Sequence, residues 1–389
     1  MSGNRFDFLE IAGATPVDVE RADMPSHGNM IGGDPSLEPG RRVDQNGIPL
    51  AQVVDVDIRG YRAFLEQDPA NGTSIFSAAA TAADTRYELR LIEVFGGRGI
   101  RPMQFNFPGG IAVNSRGDLI VADSYNHRVQ LITPEGDVWI IGTRGSGLTQ
   151  LLSPQAVAVD QEDNFYVVEQ GNCRVQKFDA RGDLDLVIGE PGELASPTGV
   201  SVSPNGDIYV ADTGNCRIKR FDRTGRFLMA IGSGVGPGVL TTPQAVGVDA
   251  LDNVYVLDTF GHRVVMFDPI GRYVNQFGSR LAGRLPGKAT FVEPRAVAID
   301  SADLIYVADT GGVMADGTQS RGRLQVIDPN TGEALLSVDR LGRNFGHLFR
   351  PTGIAIAPVN PGPSGMKEGR GDIYVSDTMN HRILRFGWR

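Results

Sequence analysis

Residues 197–221 read PTGVSVSPNGDIYVADTGNCRIKRF. Three short apolar runs, GVSV, IYVAD and RIKRF, are separated by Ser-Pro-Asn-Gly-Asp and Thr-Gly-Asn-Cys. Val, Ile and Tyr favour strands, while Gly, Asp, Asn and Pro mark turns, so the stretch reads as strands joined by hairpins. A fourth run follows and closes on Ile231-Gly232.

The unit recurs along the chain. PGGIAV, PQAVAV, PTGVSV, PQAVGV, PRAVAI and PTGIAI begin at Pro108, Pro154, Pro197, Pro243, Pro294 and Pro351. Each is followed by a run ending in an acid (Asp123, Glu169, Asp212, Asp258, Asp309 and Asp377) and by a third run opening on arginine. The spacings between anchors are 46, 43, 46, 51 and 57 residues. A four-stranded unit of this length is one blade of a β-propeller, and a lone blade cannot bury both faces. The expected fold is all-β: six four-stranded blades around an axis. The sixth copy stops at Arg389 without a fourth strand, and a spare fourth-strand run, YELRLIEVFG, lies at Tyr87–Gly96. Pairing it antiparallel with Arg382–Phe386 completes the last blade and removes an open edge.

The strings DSYNHRVQL from Asp123, DTGNCRIKRF from Asp212 and DTMNHRILRF from Asp377 resemble the signature of NHL repeats. That resemblance implies a six-bladed propeller over about residues 87–389. It leaves function open, because the family includes protein-interaction platforms, RNA binders, sensor domains and enzymes. Similar amidating lyases carry zinc-ligating histidines just after the anchor proline. Those positions here hold Gly109, Gln155, Thr198, Gln244, Arg295 and Thr352, so that activity does not carry over.

Residues 1–86 carry no repeat. They hold 7 Arg against 13 Asp plus Glu, net −6, and the rest of the chain is net −3. Apolar pieces such as Ile48–Ile58 and Phe6–Ile11 argue for an extended arm lying on the propeller or a partner, with short helices near 61–67 and 75–83. A net charge of −9 argues against nucleic acid and anionic membranes. No run of about 18 apolar residues suggests a membrane span. The start lacks a basic segment followed by an apolar one, which gives a cytoplasmic expectation. Two cysteines, Cys173 and Cys216, exclude a disulfide framework.

The second-to-third-strand turns should ring the face that carries the inter-blade linkers. A binding face there would consist of Arg128, Arg174, Arg217, Arg263, Arg323 and Arg382, with His127, His262 and His381. Near-identical copies suit structural pairing of acid with arginine better than an asymmetric ligand site. The histidine and cysteine turns lie too far from the axis to converge on one ion, so neither a metal nor a cofactor is expected. No phosphate loop or nucleophile elbow is present, and no catalytic residue is assigned. The sequence reads as a non-catalytic protein-binding scaffold within a larger assembly. Contacts are expected through residues 1–86 and the insertions at 311–322 and 358–371. The alternative is a lyase- or hydrolase-type propeller enzyme with a metal or small ligand at the central channel.

Overall fold

A computed structural model describes residues 89–278, 289–313, 319–320, 322–339, 348–358 and 371–388. The arm at 1–86, with its two expected helices, lies outside the described residues, as do 314–318 and 321 of the first insertion and 359–370 of the second.

Six antiparallel four-stranded sheets form in chain order. Blade one consists of Pro108–Val113, Leu119–Asp123, Arg128–Ile132 and Val138–Ile141, and blades two to five repeat that order. In blade five a two-stranded hairpin, Gly312–Val313 with Gln319–Ser320, is inserted between the second and third strands. The innermost strands touch in cyclic sequence, and Pro108–Val113 of blade one meets Gly353–Ile356 of blade six. Leu89–Phe95 is the outer strand of blade six, antiparallel to Arg382–Trp388, with Leu91 opposite Phe386 and Phe95 opposite Ile383. The expected closure is therefore the observed one.

Each second strand, such as Ile208–Asp212 or Val254–Asp258, is buried along its whole length. Neighbouring blades cover both faces, which is why these runs are continuously apolar instead of alternating. The core divides into six apolar clusters, one between each pair of adjacent blades. The seam between blades six and one joins Tyr374 and Ile383 to Ile111, Val121 and Ile132.

Two local devices shape the linker face. Every linker sends one apolar side chain back between blades: Phe105, Leu151, Leu194, Leu240, Phe291 and Leu348, all buried. For five of them a glycine directly after the preceding outer strand makes room: Gly96, Gly142, Gly189, Gly232 and Gly278. At Gly142 (φ +86°) a Cβ would sit 2.5 Å from Leu151, so both backbone sign and space demand glycine. The second device is a shift in register directly after the anchor proline in blades one, two, four and five. Proline has no N–H to donate, and the bulge takes Gln155, Gln244 and Arg295 out of the ladder.

Candidate functional site on the linker face and channel mouth

All six arginines of the expected binding face stand opposite the acid of their own blade, as in Asp123 with Arg128 and Asp377 with Arg382. Each puts its Nε on that carboxylate: Arg128 at 2.7 Å, Arg174 at 2.5 Å, Arg217 at 2.9 Å, Arg263 at 3.0 Å, Arg323 at 3.2 Å and Arg382 at 2.7 Å. The acids are fully buried and the arginine side chains mostly so.

The acids also accept backbone N–H bonds from the linker, from Asn106 to Asp123, Leu152 to Glu169, Ala195 to Asp212 and Phe349 to Asp377. The guanidinium groups donate to linker carbonyls in return, Arg128 to Ile100, Arg101 and Gln104, and Arg174 to Ser146, Gly147 and Gln150. Each corner is thus a polar network fastening a linker to its blade. Burial raises the carboxyl pKa of Asp123 and Asp377, against the opposing pull of the N–H and guanidinium donors.

The histidines occupy a shared backbone position. His127, His262 and His381 lie in the left-handed region, with φ of 54°, 53° and 55°, as do Cys173 and Cys216. His127 Nδ1 accepts the N–H of Ser153, just before the blade-two anchor proline, at 3.0 Å. His381 Nδ1 accepts the N–H of Phe107 at 3.0 Å, across the closing seam. His262 pairs with the Val292 carbonyl. These rings therefore bridge successive blades. Burial lowers the pKa of His127, Arg144 lowers it further, and Asp123 opposes both. Among the described residues no three His, Cys, Asp or Glu side chains gather as a set able to hold a metal ion.

Two features escape a motif-based reading. The first is at the channel mouth. Arg295 follows the anchor proline of blade five and its side chain is 7% exposed. It donates through Nη1 to Gln244 of blade four and through Nη2 to Glu293, the latter at 3.4 Å. Arg350, just before the blade-six anchor, reaches the same Glu293 oxygen at 3.2 Å, as does Thr310 Oγ1. Burial lowers the Arg295 pKa, with Glu293 opposing and Arg350 reinforcing. The sequence signal was there: Arg295 alone is charged among the six post-proline positions. The second feature is a groove of about 890 Å³ between blades one and two, lined by Leu131, Trp139, Ile140, Phe178, Arg116 and Arg181 among others. Trp139 is 63% exposed and Ile140 46%.

The sequence profile of the NHL repeat matches residues 105–130 and 194–221, which run in blades one and three from the end of the linker through the first and second strands into the third. The chain carries NHL repeats within its six-bladed propeller. Over 42 residues, 11% of its length, it is 50% identical to the B-box type zinc finger protein ncl-1 of Caenorhabditis elegans and, over an equal length, to Protein brain tumor of Drosophila melanogaster. The match spans only 5% and 4% of those two relatives. Among solved structures, the NHL propeller resembles virginiamycin B lyase from Staphylococcus aureus (TM-score 0.51, 12% identity, covering 77% of this chain and 99% of that one). It also resembles a gluconolactonase from Xanthomonas campestris (TM-score 0.53, 16% identity, covering 74% and 87%). At these identities the likeness is one of fold. Among the described residues of the NHL propeller no helix is long and apolar enough to cross a membrane.

Proposed function

We propose that this NHL propeller is a non-catalytic protein-binding subunit of a larger assembly, with the groove between blades one and two as a contact surface. The exposure of Trp139 carries this reading. Exposed tryptophan beside Ile140 is costly in water, and Trp and Arg are the side chains that most often dominate protein interfaces. Arg116, Glu135 and Arg181 supply a polar rim around the apolar floor. The acidic arm at 1–86 and the insertions at 311–322 and 358–371 add further contacts, the arm's charge favouring a basic partner surface. Two free cysteines fit a cytoplasmic setting.

The test compares natively purified full-length chain with a Trp139→Ser/Ile140→Ser double variant. A chain co-purifying at fixed ratio with the wild type and lost from the variant supports the reading. A wild-type chain that runs alone at its own mass refutes protein binding; equal recovery by both refutes the groove. A second reading, a propeller enzyme or sensor with a small ligand at the channel, is favoured by one observation, the incompletely partnered Arg295.

A further inference from the structure

The six corner arginines supply a standard against which Arg295 stands apart. Each of them places Nε on a carboxylate oxygen. The Nε of Arg295 is buried and has no hydrogen-bond partner. The Nε–Nη2 edge of a guanidinium is the edge that grips a carboxylate by two parallel bonds. Glu293 touches only the Nη2 end of that edge, at 3.4 Å, beyond the 2.7–2.9 Å typical of charge-assisted bonds.

Charge points the same way. Two guanidinium groups, Arg295 and Arg350, share one carboxylate, leaving one positive charge uncompensated in a largely buried setting. The bulge after Pro294 removes Arg295 from the strand ladder at the mouth of the channel, where bulges commonly re-aim a side chain toward a ligand. A second orphan lies on the same ring of turns. Thr213, Thr259 and Thr378 donate their hydroxyls to the anchor-proline carbonyl of the next blade, whereas the equivalent Ser124 Oγ of blade one is buried without a partner.

We propose that the linker-face mouth of the channel, at the junction of blades four, five and six, binds a small carboxylate held by Arg295 and Arg350. The ligand's carboxylate completes the Nε–Nη2 edge and balances the second guanidinium, and Gln244 holds the opposite edge of Arg295 in place. This inference is independent of the protein-binding groove, which lies between other blades.

The test uses the full-length chain and follows thermal unfolding with 10 mM succinate, 10 mM citrate or 10 mM inorganic phosphate, each against sodium chloride at matched ionic strength. One of the two carboxylates is expected to raise the Tm by about 2 °C if present at ten times its Kd. Arg295→Gln and Arg350→Gln should each abolish that rise. Should Arg295→Gln fail to fold, Arg350→Gln decides, since its side chain is the more exposed of the two. No rise with either carboxylate, a rise retained in Arg350→Gln, or a larger rise with phosphate would overturn the proposal.

Discussion

Leu89 opens the strand that closes the ring, and shortening it to alanine tests how that closure is held. Its side chain is fully buried in a cluster with Ile373, Leu384, Phe386 and Trp388 of blade six and with Tyr306, Leu324 and Val338 of blade five. Leu→Ala in such a site loses the transfer free energy of the deleted carbons and leaves a cavity, together about 3 kcal/mol. Unfolding entropy of about 2.1 cal/mol/K per residue, taken over the propeller's 300 residues from Leu89 to Trp388, makes 1 kcal/mol worth about 1.6 °C. Leu89→Ala should therefore lower the Tm by about 5 °C. Ile92 lies on the same strand but is 40% exposed, so Ile92→Ala should cost about 1 kcal/mol, or less than 2 °C. Differential scanning calorimetry of the full-length variants reads both shifts. Equal shifts would mean that Leu89–Phe95 hangs on the outside of blade six without sealing the ring, and the closure argument would fail.

Two further outcomes follow from the corner networks. Arg382→Gln strands the fully buried Asp377 carboxylate and should destabilise by about 3–5 kcal/mol in urea unfolding, whereas Arg226→Gln, which breaks a pair whose arginine is 78% exposed, should change stability by less than about 1 kcal/mol; comparable losses would show that the corner pair is not a structural fastening. His127 is neutral while its Nδ1 accepts the Ser153 N–H and its folded pKa lies below the ordinary 6.5, so below pH 6.5 the unfolded chain takes up the proton first and stability falls as pH drops toward the folded pKa, by up to about 1.4 kcal/mol per pH unit. His127→Asn keeps a residue tolerant of the left-handed backbone and removes the titration, so the wild-type stability should drop more steeply than the variant's between pH 7.5 and 5.5, and parallel pH profiles would exclude the effect.

Much of this architecture was written locally. Period-two and continuous apolar runs, turns rich in Gly, Asp and Asn, and six anchor prolines set the number of strands and blades, because strand and turn preferences act over a few residues. The closing pair was legible by counting: one strand missing after Arg382 and one spare at Tyr87–Phe95 leave a single way to remove the edge. The destinations of the polar side chains were not legible in the same way. That Arg128 holds the carbonyls of Ile100, Arg101 and Gln104, or that His381 meets an N–H 274 residues earlier in the chain, depends on which linker folds beside which turn. Arg295 and Trp139 are further cases. Any sequence reading sees an arginine after a proline and a tryptophan in an outer strand; only the packing of neighbouring blades leaves the Nε of the first without an acceptor and sets the second over an open groove. Hydrogen-bond partners and exposure are properties of the space between blades, and that space is created only when segments 40–60 residues apart come together around the axis.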